Sequence, residues 1–244
     1  MLNFHLESWA AMAPGLETRD DWKEWLLNPV AIEKPLGKVK LDAVPAMLRR
    51  RFNTLGKCAM AATLPLVEET DAIPSVFASR HGDTELSFSL LRSIGSEEPM
   101  SPTSFSLAVH NAVAGLFSIA RKDTSAVTAI AAMRGLVLQA LFESIGQLQQ
   151  AQRVLCVIYD IPLPDFYRQH STDAELPFPY AIAMILNRSE GQGYRLEPGQ
   201  PAAATGTQAE DHESMCLLGL ILGVHEKILL QQNGSAWRMA RVET

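Results

Sequence analysis

A chain of 244 residues with 47% apolar side chains is long enough to bury one sizeable core and too hydrophobic for disorder. A net charge of −6 argues against broad nucleic-acid binding. The longest apolar run, residues 215–224, falls well short of the roughly 20 residues of a membrane span, and residues 2–13, broken by His5 and Glu7, are no signal peptide. Cys58, Cys156 and Cys216 are odd in number and widely spaced. They suit neither a disulfide framework nor a zinc site, and they fit a reducing cytoplasm.

In chain order, residues 2–9 alternate Leu2, Phe4 and Leu6 with polar residues, which predicts a half-buried strand. Residues 18–27 read as a helix capped by Thr18 or Asp20, and residues 28–40 as a loop. Residues 45–62 read as one helix with proline in its first turn. Leu48, Phe52, Leu55 and Ala59 line one side of it, and Arg49, Arg50 and Arg51 straddle the other. That basic run reads first as a solvated face, and as a docking patch in the sharper reading. Residues 73–79 predict a strand, followed by a tight exit and a helix from Asp83 to Ile94.

The chain is organised around residues 101–130. Phe105, Val109, Ala112, Val113, Leu116 and Phe117 mark one face of a single helix over 105–120. Gly115 within it suggests the close approach of another backbone. His110 and Asn111 are its strongly polar members. A lone histidine on such a helix is first a hydrogen-bonded core residue, and only second part of a site. Residues 125–130, including Val127 and Thr128, predict a strand, and residues 131–135 a turn containing Met133.

Residues 136–150 read as a helix and residues 154–159 as a strand buried on both faces, with Tyr159 and Asp160 at its end. A strand follows at 178–186, with 193–196 as a candidate partner for it. Residues 198–211 read as a mobile loop, 213–232 as one amphipathic helix and 236–242 as a last strand. The order is α/β, a sheet with helices on both faces. Ser79, Arg80 and His81 could be mistaken for a hydrolase site. Adjacent strand residues point to opposite faces, so a structural turn is the better reading.

Several motifs carry a family resemblance: LRRRF at 48–52, SRHGD at 79–83, SPTSFSLAVHNAVAG at 101–115, VLCVIYD at 154–160 and AWRMAR at 236–241. Together they resemble the β-ketoacyl synthase-like chain-length-factor proteins of aryl-polyene and related biosynthesis. The match is strong from 47 to 160 and weaker towards the termini. It implies a thiolase-like layered fold, truncated relative to a full synthase. Residues 1–244 would be one domain, a synthase amino-terminal half with a reduced remainder.

By that resemblance an active synthase places a cysteine in the turn at 131–135. There a helix amino terminus lowers the thiol pKa and supplies amide donors to an oxyanion. This turn reads Ala131, Ala132, Met133, Arg134, Gly135 and holds no nucleophile. The two histidines a synthase uses have no matching motif here either; His212 and His225 are what that region offers. The resemblance therefore implies a non-catalytic subunit, with no catalytic residue, no metal and no cofactor. It would pair with a catalytic β-ketoacyl-acyl-carrier-protein synthase and meet the acyl carrier protein transiently. Phe105, Val109, His110, Asn111, Leu116, Phe117, Val127, Thr128 and Met133 are the expected acyl-pocket and interface residues. Arg49, Arg50 and Arg51 are the candidate docking patch. A stand-alone acyltransferase or hydrolase, and a pure assembly scaffold, are the alternatives.

Overall fold

The computed structural model describes every residue except 69, 170, 172–174, 201–211, 233 and 243–244. The chain opens with β1 (Leu2–Met12), α1 (Arg19–Leu27), α2 (Ala46–Arg49) and α3 (Thr54–Thr63). Next come β2 (Ser75–Ser79), α4 (Thr84–Gly95), α5 (Pro102–Leu107), α6 (Ala112–Arg121) and β3 (Val127–Ala131). After these stand α7 (Leu136–Gln147), β4 (Arg153–Asp160), α8 (Asp165–Arg168), β5 (Tyr180–Asn187) and β6 (Gln192–Gly199). The chain closes with α9 (Glu213–Leu222), β7 (Lys227–Gln232) and β8 (Ser235–Arg241).

Among the described residues the strands form one sheet in the order β3-β2-β4-β5-β1-β6-β8-β7. β2 runs parallel to β3 and β4, and the other neighbours are antiparallel. Alternation along the central strands splits the apolar side chains between two cores. Val76, Ala78, Cys156 and Ile158 pack with Trp22 of α1, Leu138 and Leu141 of α7, and Leu217 of α9. Phe77, Leu155, Val157 and Tyr159 face the other way, against Leu55 and Ala59 of α3 and Phe117 of α6. This is the expected mixed sheet with helices on both faces.

Caps set several helix starts. Thr18 and Asp21 form a reciprocal capping box on α1. Asp83 accepts from the Leu86 amide to open α4. Asn53 accepts from the Gly56 amide at 3.1 Å, and this cap begins α3 afresh. The single helix expected over 45–62 is therefore two, α2 and α3.

Four other expectations are corrected. The helix expected over 105–120 is α5 and α6, separated at 108–111. There the His110 ring bonds through Nε2 to the Ser79 carbonyl at 3.0 Å and holds the connection against the end of β2. The helix expected over 213–232 stops at Gly223, whose φ of +75° is the left-handed cap a glycine adopts without strain. The remainder of that span forms β7, paired with β8, because Ile228 and Leu230 bury one strand face. Residues 193–196 pair with β1 and β8, not with β5. Of the loop expected at 198–211, Pro198 and Gly199 belong to β6, and 201–211 lie outside the described residues.

The turn between β5 and β6 depends on Gly191. Its φ is +108°, and a Cβ there would sit 2.2 Å from the Leu6 carbonyl oxygen. Backbone, unlike a side chain, cannot swing aside. Gly191→Ala should therefore lower unfolding free energy by at least about 2 kcal/mol, read as a reduced denaturant midpoint. A variant as stable as wild type would contradict this geometry.

Candidate functional site

β3 is an edge strand. The Ser75 amide donates to the Ala126 carbonyl at 2.9 Å, so Ala126 turns its backbone groups towards β2. Successive residues of a strand address opposite edges, so the N–H and C=O groups of Val127, Ala129 and Ala131 point outward. The same three residues are also exposed on one face of the sheet, with Val127 38% accessible. Thr128 and Ile130 turn the other way. Thr128 Oγ1 accepts from Gln147 Nε2 at 3.0 Å and donates to Glu143 Oε1 at 3.2 Å, and Ile130 packs on the α7 core. An apolar strand open along its edge and over one face needs a cover.

Other apolar residues are exposed on α5, in the α5–α6 connection and in the turn after β3. Phe105 on α5 is 62% accessible, Val109 in the α5–α6 connection 51%, and Met133 in the turn after β3 52%. Asn111 is exposed at the start of α6 and makes no side-chain capping bond. His110 is half-buried and held by Ser79. Leu116 and Phe117 are not on this surface. Both are buried in the chain's own core, where the Phe117 ring lies 5.3 Å from that of Phe77. The apolar face of α6 is satisfied within the chain. Gly115 meets nothing within 4 Å of a notional Cβ, so among the described residues no backbone outside its own helix approaches it there.

Arg49 ends α2, and Arg50 and Arg51 lie in the break before α3, so the run is not the solvent face of a continuous helix. All three are exposed, and Arg49 lies 3.7 Å from Asp42. Arg51 joins Val109, His110, Asp83 and Leu116 along one narrow cleft of about 10 Å³. That volume admits a single water at most, so this cleft is no acyl channel in the chain by itself.

A buried polar cluster sits at the carboxyl ends of the parallel strands β2 and β4. Ser79 Oγ donates to Asp160 Oδ1 at 2.7 Å, and the Arg80 amide donates to the same oxygen at 2.9 Å. The Gly82 amide donates to Ser79 Oγ at 2.8 Å. The Tyr180 hydroxyl lies 3.5 Å from Asp160 Oδ2 and 3.1 Å from Ser214 Oγ. His81 Nε2 pairs with Glu175 at 3.1 Å. The Ser79 hydroxyl is thus spent on a carboxylate, and the SRHGD segment forms a structural turn. Burial pushes Asp160 up to about 7 despite these donors, and burial beside Arg80 pushes His212 down to about 4.

A second feature has no signature in the sequence. Glu213, the first residue of α9, accepts from the Leu136 amide at 2.9 Å, and the amides of Gly135 and Val137 at the start of α7 also favour its charged form. No short-range spacing encodes it; residues 77 apart meet only through the fold. Burial pushes the Cys58 and Cys156 thiols up to about 12, which keeps both neutral and unreactive. Among the described residues no group of three His, Cys, Asp or Glu could hold a metal ion, and no helix is long and apolar enough to cross a membrane.

A protonated Asp160 is favoured more in the folded chain than in the unfolded one, where its pKa is near 3.8. Its contribution is therefore full below about pH 4 and is lost as pH rises through about 7. Wild type should lose stability relative to Asp160→Asn between pH 4 and 7.5, followed by denaturant midpoints at matched ionic strength. Parallel curves for the two proteins would rule this out.

The β-ketoacyl synthase N-terminal domain family model matches residues 22–239. Among solved structures, a chain from the complex of the ketosynthase ApeO with its chain length factor ApeC, from Xenorhabdus doucetiae, is 26% identical with a TM-score of 0.84. That match covers 99% of this chain and 100% of the other. A chain of the ishigamide ketosynthase/chain length factor is 13% identical at TM-score 0.63, over 83% of this chain and 68% of that one. A chain from AntDE:AntF, a type II polyketide synthase acyl-carrier protein in complex with its ketosynthase, is 9% identical at TM-score 0.65, over 99% of each. The last two likenesses are of fold alone. No curated protein matches the sequence.

Proposed function

The chain belongs to the β-ketoacyl synthase family, through its N-terminal domain, and on that premise we propose that it is a non-catalytic chain-length-factor subunit. It pairs with a catalytic β-ketoacyl-acyl-carrier-protein synthase in aryl-polyene or related polyketide or fatty-acid-like biosynthesis. The partner performs the condensation; this chain completes the dimer and shapes the acyl pocket, without a cofactor. Residues 1–244 act as one synthase-like domain, in a cytoplasmic complex.

The observation that carries the reading is β3. Its outward amides, exposed apolar face and position just before a turn without a nucleophile suit a strand that pairs across a subunit boundary. The full-length likeness to a chain of the ApeO–ApeC complex supports a synthase as the partner. Phe105, Val109 and Met133 are the apolar side chains free to meet it, with Val127 on the strand and His110 and Asn111 beside it. Thr128 supports the strand from behind. Arg49, Arg50 and Arg51 lie open to an acidic carrier protein or to the partner. A stand-alone acyltransferase or hydrolase has less support, because the Ser79 hydroxyl is bonded to Asp160 and two of the three thiols are buried and neutral.

Assembly tests the reading. The wild-type chain should be poorly soluble alone and should elute with its synthase on size exclusion after co-expression. Val127→Pro removes an amide that points away from β2, so it should abolish co-elution while leaving the β2–β3 pairing intact. A stable wild-type monomer that ignores the synthase would sink the proposal.

Length control is a separate outcome. If Phe105 limits the pocket, Phe105→Ala should shift the product distribution, resolved by mass spectrometry, towards longer chains. An unchanged distribution from an assembled complex would leave a scaffold role alone.

A further inference from the structure

The amino terminus of α7 is closed from within. Helix starts leave amides unpaired and carry partial positive charge, so this one would ordinarily be open to an anion. Here the Glu213 carboxylate fills it, bonded to the Leu136 amide at 2.9 Å and facing the amides on either side, which favour its charged form. Glu213 also opens α9, so two helix starts converge on one carboxylate. The end of β7 closes over the same turn. Gln139 Nε2 donates to Gln232 Oε1, and a Cβ on Gly135, whose φ is +70°, would lie 2.8 Å from the Gln232 side chain.

We propose that Glu213 is a built-in plug, an internal anion that occupies the amide nest a working synthase would keep open for its reacting carbonyl. The inference rests on the non-catalytic reading and deepens it. The turn at 131–135 lacks a nucleophile, and the donors that would serve one are already taken. Restoring a cysteine there would not by itself restore an activated thiol. The carboxylate cancels the positive end of α7 and places a negative charge beside any thiolate that forms. Glu213 is a positioning residue: it ties α9 to α7 and sets the turn through which β3 leaves the sheet.

Ala132 is the place to install the reporter. It is the half-buried residue of the turn that packs on the α7–α9 core, whereas Ala131, Met133 and Arg134 are exposed. The measurement is the pH dependence of iodoacetamide alkylation of the introduced thiol in Ala132→Cys, in the co-expressed complex, read by peptide mass spectrometry. The thiolate sulfur takes the CH₂ carbon and iodide leaves, so the rate follows the thiolate fraction. With Glu213 present the midpoint should lie at or above the ordinary thiol value of about 8.5. Adding Glu213→Gln, which keeps an acceptor and removes the charge, should lower it by at least about one unit, near tenfold in rate at pH 7. Among the described residues, the other charged or titratable groups near the turn or Glu213 include Arg134 within it, Arg80 at the end of β2, Glu143 on α7, Tyr180 on β5 and His212 before α9. They are present in both proteins, so the difference reports Glu213.

The same midpoint with and without Glu213→Gln would overturn the proposal. Should that variant fail to assemble, Glu213→Ala with added formate gives the same readout. Formate at tens of millimolar should refill the nest and slow alkylation, and a rate indifferent to formate would overturn it. Failure of the plug is distinct from failure of the non-catalytic reading, which would appear as condensation by the unmodified chain without its partner.

Discussion

The structure depends on how the carboxyl ends of β2 and β4 are held together. Both strands are buried on both faces, so neither can end in water, and their terminal polar groups must find partners inside. Asp160 supplies them. One carboxylate takes the Ser79 hydroxyl and the Arg80 amide, and the Ser79 hydroxyl in turn takes the Gly82 amide. The turn that leaves β2 is fixed to the strand beside it. A buried carboxylate is costly, and the elevated Asp160 pKa reports that cost. Removing its partners would leave a larger one.

From that anchor the partner-facing elements follow. The Ser79 carbonyl, at the end of β2, takes the His110 ring and so breaks the expected long helix into α5 and α6. The break turns Val109 outward while Leu116 and Phe117 stay in the core. α6 then leads into β3, and β2 accepts β3 on its free side with every second backbone unit pointing away from the sheet. Thr128, bonded to two residues of α7, keeps the strand from rotating. The exposed face of β3 is therefore held by interior bonds and does not depend on a partner for its shape.

Much of this was legible in the sequence where one residue type has one physical solution. The unbroken apolar run at 154–159 can only be a strand covered on both sides, and Thr18 and Asp83 announce helix starts by their side-chain acceptors. The misreadings share a cause. Periodicity reports which side chains are apolar and not where the backbone bends, so Asn53 and His110 split two helices that the pattern joins. Residues 227–232 fit a helix pattern but lie beyond a left-handed glycine and have β8 as a neighbour. The site was half legible. The missing nucleophile is visible in five letters, whereas the burial of Leu116 and Phe117, the contacts of Asp160 and the Glu213 bond arise from strands brought together by the fold.

The two halves of that site explain each other. A non-catalytic subunit, as proposed above, has no use for an open amide nest, yet it cannot dispense with α7, whose Leu136, Val137, Leu138 and Leu141 fill the core beneath β3. An exposed helix start beside a buried core would need water or an anion. A carboxylate from α9 meets that need without a ligand, and it fastens the last helix to the turn below the edge strand. On the proposed reading, the geometry that catalysis would keep free is converted into a structural bond. On that reading the edge strand, and the partner that pairs with it, still requires the geometry of a synthase half.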